Sequence, residues 1–232
     1  MCSENNDWSK TLSSLSKPIK EVTEFLSLII KPSAKEAGEL LAGEFKYWRI
    51  KRGLSILQKT KKLLEDNGIN PKKVSLKFFI PLLESSSLEE EEFMQNKWAR
   101  LLANAVNQDY EEEIRPCYVE ILKELTSTEV RLLDKMFEEL NRRLPEEEYE
   151  ELLGIDSVCK FLDLSRDKYF IMSDNLIRLN LCQPTPIRGM SFSAGPLKNQ
   201  AAMIRTKKVS YLTLLGYSFV KACKFEGSKD LI

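Results

Sequence analysis

The chain has 232 residues, 43% hydrophobic and 30% charged, a balance that suits one large or two small globular domains and excludes a disordered chain. Lys plus Arg equals Asp plus Glu at 35 each, so attraction to nucleic acid or an anionic membrane has to come from a local patch. Histidine is absent, which excludes Ser-His and Cys-His nucleophile pairs and every histidine-containing metal site.

The first segment, residues 1–17, is polar and carries no apolar signal region. Cys2, Cys117, Cys159, Cys182 and Cys223 show no Cys-x-x-Cys spacing, so they read as reduced thiols of a cytoplasmic protein. In "PIKEVTEFLSLIIKP" the residues Val22, Phe25, Leu26, Ile29 and Ile30 recur at helical steps and predict one buried face. That run is too short to span a bilayer.

Pro32 closes this helix, and Ser33 with Glu36 predicts a capping box for the next. The following pattern runs from Ala37 through Leu40, Leu41, Phe45 and Trp48 to Leu54, Leu57, Leu63 and Leu64, with Asn67-Gly68 as its stop. Gly43 and Gly53 inside it mark either close helix contacts or a break. Lys46, Arg49, Lys51, Arg52, Lys59, Lys61 and Lys62 stand in this helix with no acid between them, beside Tyr47 and Trp48. Such a stretch fits nucleic acid, a solvated face, or a face that meets an acidic helix; the last two are the expectation.

"KVSLKFFIPLLESSS" predicts a short apolar helix interrupted at Pro81. Four glutamates, Glu89 to Glu92, come next and raise the question of a carboxylate site. Ser87 with Glu90 predicts a second capping box, and acids in a first turn interact favourably with the helix dipole. Phe93, Met94, Trp98, Leu101, Leu102 and Ala105 form one stripe behind them, so the run reads as a helix start. "NQDYEEEIRP" is an acidic linker, and two amphipathic segments follow, the second expected to begin at Thr128.

After "PEEEYEELL" the charge balance turns basic: from Leu152 to Lys224 there are eleven Lys and Arg against Asp156, Asp163, Asp167 and Asp174. "IDSVCKFLDL" and "RDKYFIMSDNLIRLNL" read as two helices, with Ser165 as turn or cap and Tyr169, Met172, Leu176 and Leu179 on one face of the second. Two strands flank a segment rich in Pro, Gly and Ser, and Thr213 caps a final helix in "TLLGYSFVKAC". Helix, turn, helix, hairpin, helix is the order of a winged helix. Lys168, Arg178, Arg205, Lys207 and Lys208 are its candidate nucleic-acid or partner contacts, with Arg188 and Lys198 in the hairpin loop. Asp167 and Asp174, seven apart, argue against a groove unless Arg178 compensates, while Asn175 or Arg178 is placed to reach a base.

"AGELLAGEFKYWRIKRGLSILQKTKKLLEDNGINP", "PLLESSSLEEEEF", "WARLLANA" and "CYVEILKELTSTEVRLLDKM" together resemble the Abi-alpha family of bacterial abortive-infection proteins. The likeness covers Ala37 to Met136, and the tail, with "NLIRLNL" and "YLTLLGYSFVKAC", is similar too. These are turns and helix faces. The resemblance implies phage defence and carries over no catalytic residue.

The expectation is thus a mainly α protein with residues 1–17 a polar segment, 18–144 a helical body, and 145–232 a winged-helix-like α+β domain. Its function is non-enzymatic defence through protein or nucleic-acid binding, with no cofactor, no metal and no membrane span. Expected partners are a second copy of the chain, a nucleic acid, or a phage or host protein. A winged-helix DNA-binding regulator and a metal-dependent toxic effector stay open as alternatives; for the effector, Glu44 and Lys46 form a weak Glu-x-Lys. Membrane permeabilisation through the Val22 to Ile30 face stays open as well.

Overall fold

The structure, a computed structural model, describes residues 22, 24–30, 47–142, 154–185 and 208–225. The expected Ser33–Glu36 box, Gly43, Glu44, Lys46, Arg188, Lys198, Arg205 and Lys207 lie outside them. The described residues are mainly helical with one two-stranded sheet. The chain divides into two compact units, one of Met1–Lys123 with Ala222–Ile232 and one of Glu124–Lys221.

In the first unit, helical backbone over 24–29 buries Phe25, Leu26 and Ile29, with Val22 and Ile30 also buried. The Ile29 carbonyl accepts the Val74 N–H at 2.8 Å. Helix α1 (Tyr47–Asp66) ends in a left-handed Gly68, φ 65°. The Ile69 N–H bonds the Leu64 carbonyl and the Gly68 N–H that of Glu65, the paired closure that a glycine after a helix permits. Gly53 does not break α1; a Cβ there would touch Leu83 at 3.4 Å, so it marks the approach of the next helix.

Helix α2 (Leu76–Ser86) continues through Pro81. The expected interruption is corrected. Proline removes one backbone donor, but Phe78, Phe79, Leu82 and Leu83 are all buried, and their burial outweighs that loss. Helix α3 (Glu92–Val106) is buried almost all round and packs on both α1 and α2. Buried Thr60 fastens it, its hydroxyl lying 2.9 Å from the Ile56 carbonyl and 3.2 Å from that of Ala99. Helix α4 (Cys117–Glu124) follows, with Tyr118, Val119, Ile121 and Leu122 inside.

The second unit opens on helix α5 (Ser127–Asn141). Thr126, not Thr128, is its cap. A reciprocal capping box joins Thr126 and Glu129, because "TSTE" places the hydroxyl and the carboxylate three residues apart. Helices α6 (Ile155–Leu162) and α7 (Arg166–Arg178) are separated by left-handed Asp163 and by Ser165, whose hydroxyl caps α7 as the sequence suggests. Asn180, φ 56°, closes α7, with the Leu181 N–H on the Leu176 carbonyl. Strands β1 (Cys182–Thr185) and β2 (Lys208–Leu212) pair antiparallel with an irregularity between Gln183 and Pro184.

Thr213 then caps helix α8 (Leu214–Ala222), accepting the Gly216 N–H at 2.9 Å. Gly216 is required here by contact: a Cβ would meet the Leu181 carbonyl oxygen at 2.1 Å. Where α8 ends, the chain rejoins the first unit. The buried Asn104 amide donates to the Ala222 carbonyl at 2.8 Å and to that of Lys224, and Cys223 and Phe225 are buried.

Gly216→Ala should therefore lower unfolding free energy by about 3 kcal/mol in denaturant titration, since backbone has to move to admit the methyl. Asn104→Ala should cost about 2 kcal/mol, because two carbonyls lose their donor.

Candidate functional site

The glutamate run resolves into helix-start chemistry. Ser87 does not cap α3, which is a second correction: its hydroxyl donates to the Glu84 carbonyl at 2.7 Å and so closes α2. The helix starts only at Glu92, with Glu91 at its N-cap and no side-chain cap bond there; just ahead of it the Glu89 carboxylate accepts the Glu90 and Glu91 N–H groups at 2.9 and 3.1 Å. Glu90 pairs with Arg52 at 2.8 Å and Glu92 with Lys59 at 3.5 Å. The basic helix therefore meets the acidic helix start, and Lys61 pairs along α1 with Glu65. Among the described residues no group of three or more Cys, Asp or Glu is arranged to hold a metal.

A shallow cleft of about 380 Å³ in the first unit is lined by Glu84, Ser85, Leu88, Glu89, Trp98 and Lys123. Trp98 is almost wholly buried, and the Lys123 ammonium is 3.1 Å from Glu120.

Two of the thiols, Cys159 and Cys182, are shifted away from reactivity. Cys182 is buried 3.9 Å from the Met136 sulfur, and burial pushes its thiol up to about 12. Burial also raises Cys159, with Asp156 adding to the effect and Arg166 opposing it. Neither is activated as a nucleophile.

The candidate contacts from the sequence fall in the second unit, and Lys168, Arg178 and Lys208 lie among the described residues. Lys168 is exposed in the first turn of α7, its backbone N–H on the Ser165 hydroxyl. Arg178 is the last residue of α7. Ten residues separate them by about 15 Å along the axis and about 80° around it. Lys208 is the first residue of β2.

Arg178 is committed within its own unit. Its guanidinium bonds the Glu124 carboxylate and, through Nε and Nη2, the Asn175 side-chain oxygen at 3.1 and 2.7 Å. The Asn175 amide donates to Glu129 Oε1 at 2.8 Å. Glu129, buried, also accepts the Thr126 N–H and hydroxyl through Oε2 at 2.7 and 2.9 Å. Asn175 thus bonds the first turn of α5, and Arg178 the last residue of α4. At the other end of α7, Arg166 grips Asp156 in a two-pronged pair, and that bonding raises the guanidinium pKa further.

Sequence reasoning did not anticipate Glu124, Glu129 or Asp156 as partners. The Thr126-x-x-Glu129 spacing was the available signal for one of them; the others depend on tertiary approach.

No curated protein and no solved structure matches the chain. A protein-family model described as "Abortive infection alpha" matches residues 52–223.

Asn175→Ala should lower stability by about 1–3 kcal/mol by leaving buried Glu129 Oε1 without its donor, whereas Lys168→Ala should be close to neutral in the same denaturation assay. The buried Cys182 thiol stays protonated in the folded chain at pH values where an unfolded thiol, ordinarily near 9.0, has ionised. Unfolded chain then binds fewer protons, so stability should fall as pH rises from about 9 towards about 12, and Cys182→Ser should flatten that decline in urea titrations across pH.

Proposed function

The chain belongs to the abortive infection alpha family, and on that footing we propose that it is a phage-defence protein that acts by binding rather than by catalysis. The helical body, residues 18–144, is the scaffold, and residues 145–232 form a winged-helix-like domain that meets the partner. The order α6, α7, antiparallel hairpin, α8 supports that reading, with α7 in the place of a recognition helix.

The observation that carries the choice of partner is the charge of α7. Arg166, Lys168 and Arg178 are set against Asp167 and Asp174 on the helix and against Asp156 and Glu124, which hold the two arginines. Three cations against four carboxylates bring no net positive charge to a phosphate backbone. A protein partner fits this helix better than a duplex. The nucleic-acid alternative keeps Arg205, Lys207 and Lys208 with Lys168 as its contacts.

Titrating labelled duplex DNA and RNA with the full chain by fluorescence anisotropy across salt tests this. We expect no binding that weakens steeply with salt. A slope equivalent to about four phosphates would replace the protein-partner reading with the nucleic-acid one, and charge reversal at Arg205, Lys207 and Lys208 should then abolish it. In a phage-challenged bacterial culture, expression of the chain should lower plaque numbers; unchanged numbers across a panel of phages would remove the defence role.

A further inference from the structure

We propose that the cleft between the end of α2 and the start of α3 holds an arginine side chain of a partner protein. The site lies in the helical body and stands whichever partner the second unit takes. Its volume, about 380 Å³, is at the small end of the roughly 300–1,000 Å³ that ligand clefts span. One long side chain suits it better than a nucleotide or a large cofactor. Trp98, only 2% accessible, and Leu88, 53% accessible, line it with apolar surface, and Glu84 and Glu89 line it with carboxylates.

The polar groups facing this space are left to the occupant. The Glu84 carboxylate is exposed and has no ion pair or hydrogen bond. Glu89 accepts the Glu90 and Glu91 N–H groups through Oε1, which leaves Oε2. The indole N–H of the buried Trp98 meets no acceptor among the described residues. The one cation on the wall, Lys123, has its ammonium 3.1 Å from Glu120, so its charge is answered there.

The rim is fixed before anything enters. The Leu88 and Glu89 N–H groups bond the Ser85 and Ser86 carbonyls, each at 3.1 Å, and the Gln95 amide donates to the Glu89 carbonyl at 3.2 Å. Little is then left to order on binding. An arginine meets each group: its stem lies over Leu88 and the indole, and its planar fork reaches the two carboxylates. A main-chain carbonyl beside it accepts the indole N–H. An acidic or phosphate-bearing group would face two carboxylates instead.

The test uses the full chain carrying fluorotryptophan, titrated with the blocked peptide acetyl-Leu-Arg-Leu-amide and read by fluorine NMR. Trp8→Phe and Trp48→Phe assign the resonance of Trp98 while leaving that ring in place. The Trp98 resonance should shift saturably. Replacing the peptide arginine by citrulline, which keeps its shape and removes its charge, should weaken affinity by roughly tenfold, and so should Glu84→Gln. Glu111→Gln, on an exposed carboxylate that does not line the cleft, should leave affinity unchanged. Lys123→Ala should leave it unchanged or tighten it. No saturable shift at Trp98, equal affinity for the citrulline peptide, or an equal loss in Glu84→Gln and Glu111→Gln would overturn the proposal. Weaker binding by Lys123→Ala would overturn it too, because the cleft would then be holding an anion.

Discussion

One buried carboxylate organises the second unit. Glu129 uses both of its oxygens: one completes the capping box that starts α5, the other receives the Asn175 amide from the last turn of α7. A charge taken out of water has to find such partners, and this one finds them on two helices at once. The orientation of α7 follows. With Asn175 held inward and Arg178 drawn to Glu124, the side of the helix left to solvent is the line through Asp167, Ile171 and Asp174. Which side of that helix meets solvent is thus decided by a contact on its other flank.

In the first unit the ionic contacts work differently. Arg52 with Glu90 and Lys59 with Glu92 join α1 to the start of α3, but both carboxylates are largely exposed, and pairs of this kind add little stability. Their effect is on register: the basic stretch finds its complement within the unit, while the fastening itself comes from buried apolar side chains and from Thr60, bonded across the same two helices. An acidic run that looks like chemistry and a basic run that looks like a nucleic-acid footprint meet each other at two ion pairs.

Periodicity and turn chemistry made much of the described fold legible. The face from Val22 to Ile30, the stripe through Met94, Trp98 and Leu102, the stop at Gly68, and the caps at Ser165 and Thr213 are local patterns, and local patterns are written in the sequence. The errors came where packing overrode a local rule. Pro81 stays inside α2 because the apolar residues around it are buried. Ser87 closes one helix instead of opening the next, because the next helix begins only at Glu92 and its N-cap is Glu91. Arg178 was singled out by its charge and by its place on the second helix of the winged-helix order. Sign could not reveal that Glu124, far away in sequence, bonds Arg178, nor that Asp156 holds Arg166.

Asn104 also has a bearing on the order in which the chain acquires structure. It binds the carbonyls of Ala222 and Lys224, and Cys223 and Phe225 complete the core around it, so the first unit is assembled from stretches that flank the second in sequence. A ribosome delivers residues 124–221 before that core can close. The continuous unit is then free to fold first although it begins later, and the earlier stretch waits with part of its apolar surface uncovered. For a protein of this connectivity, the vulnerable interval for aggregation or proteolysis is the one between synthesis of α3 and synthesis of residues 222–225.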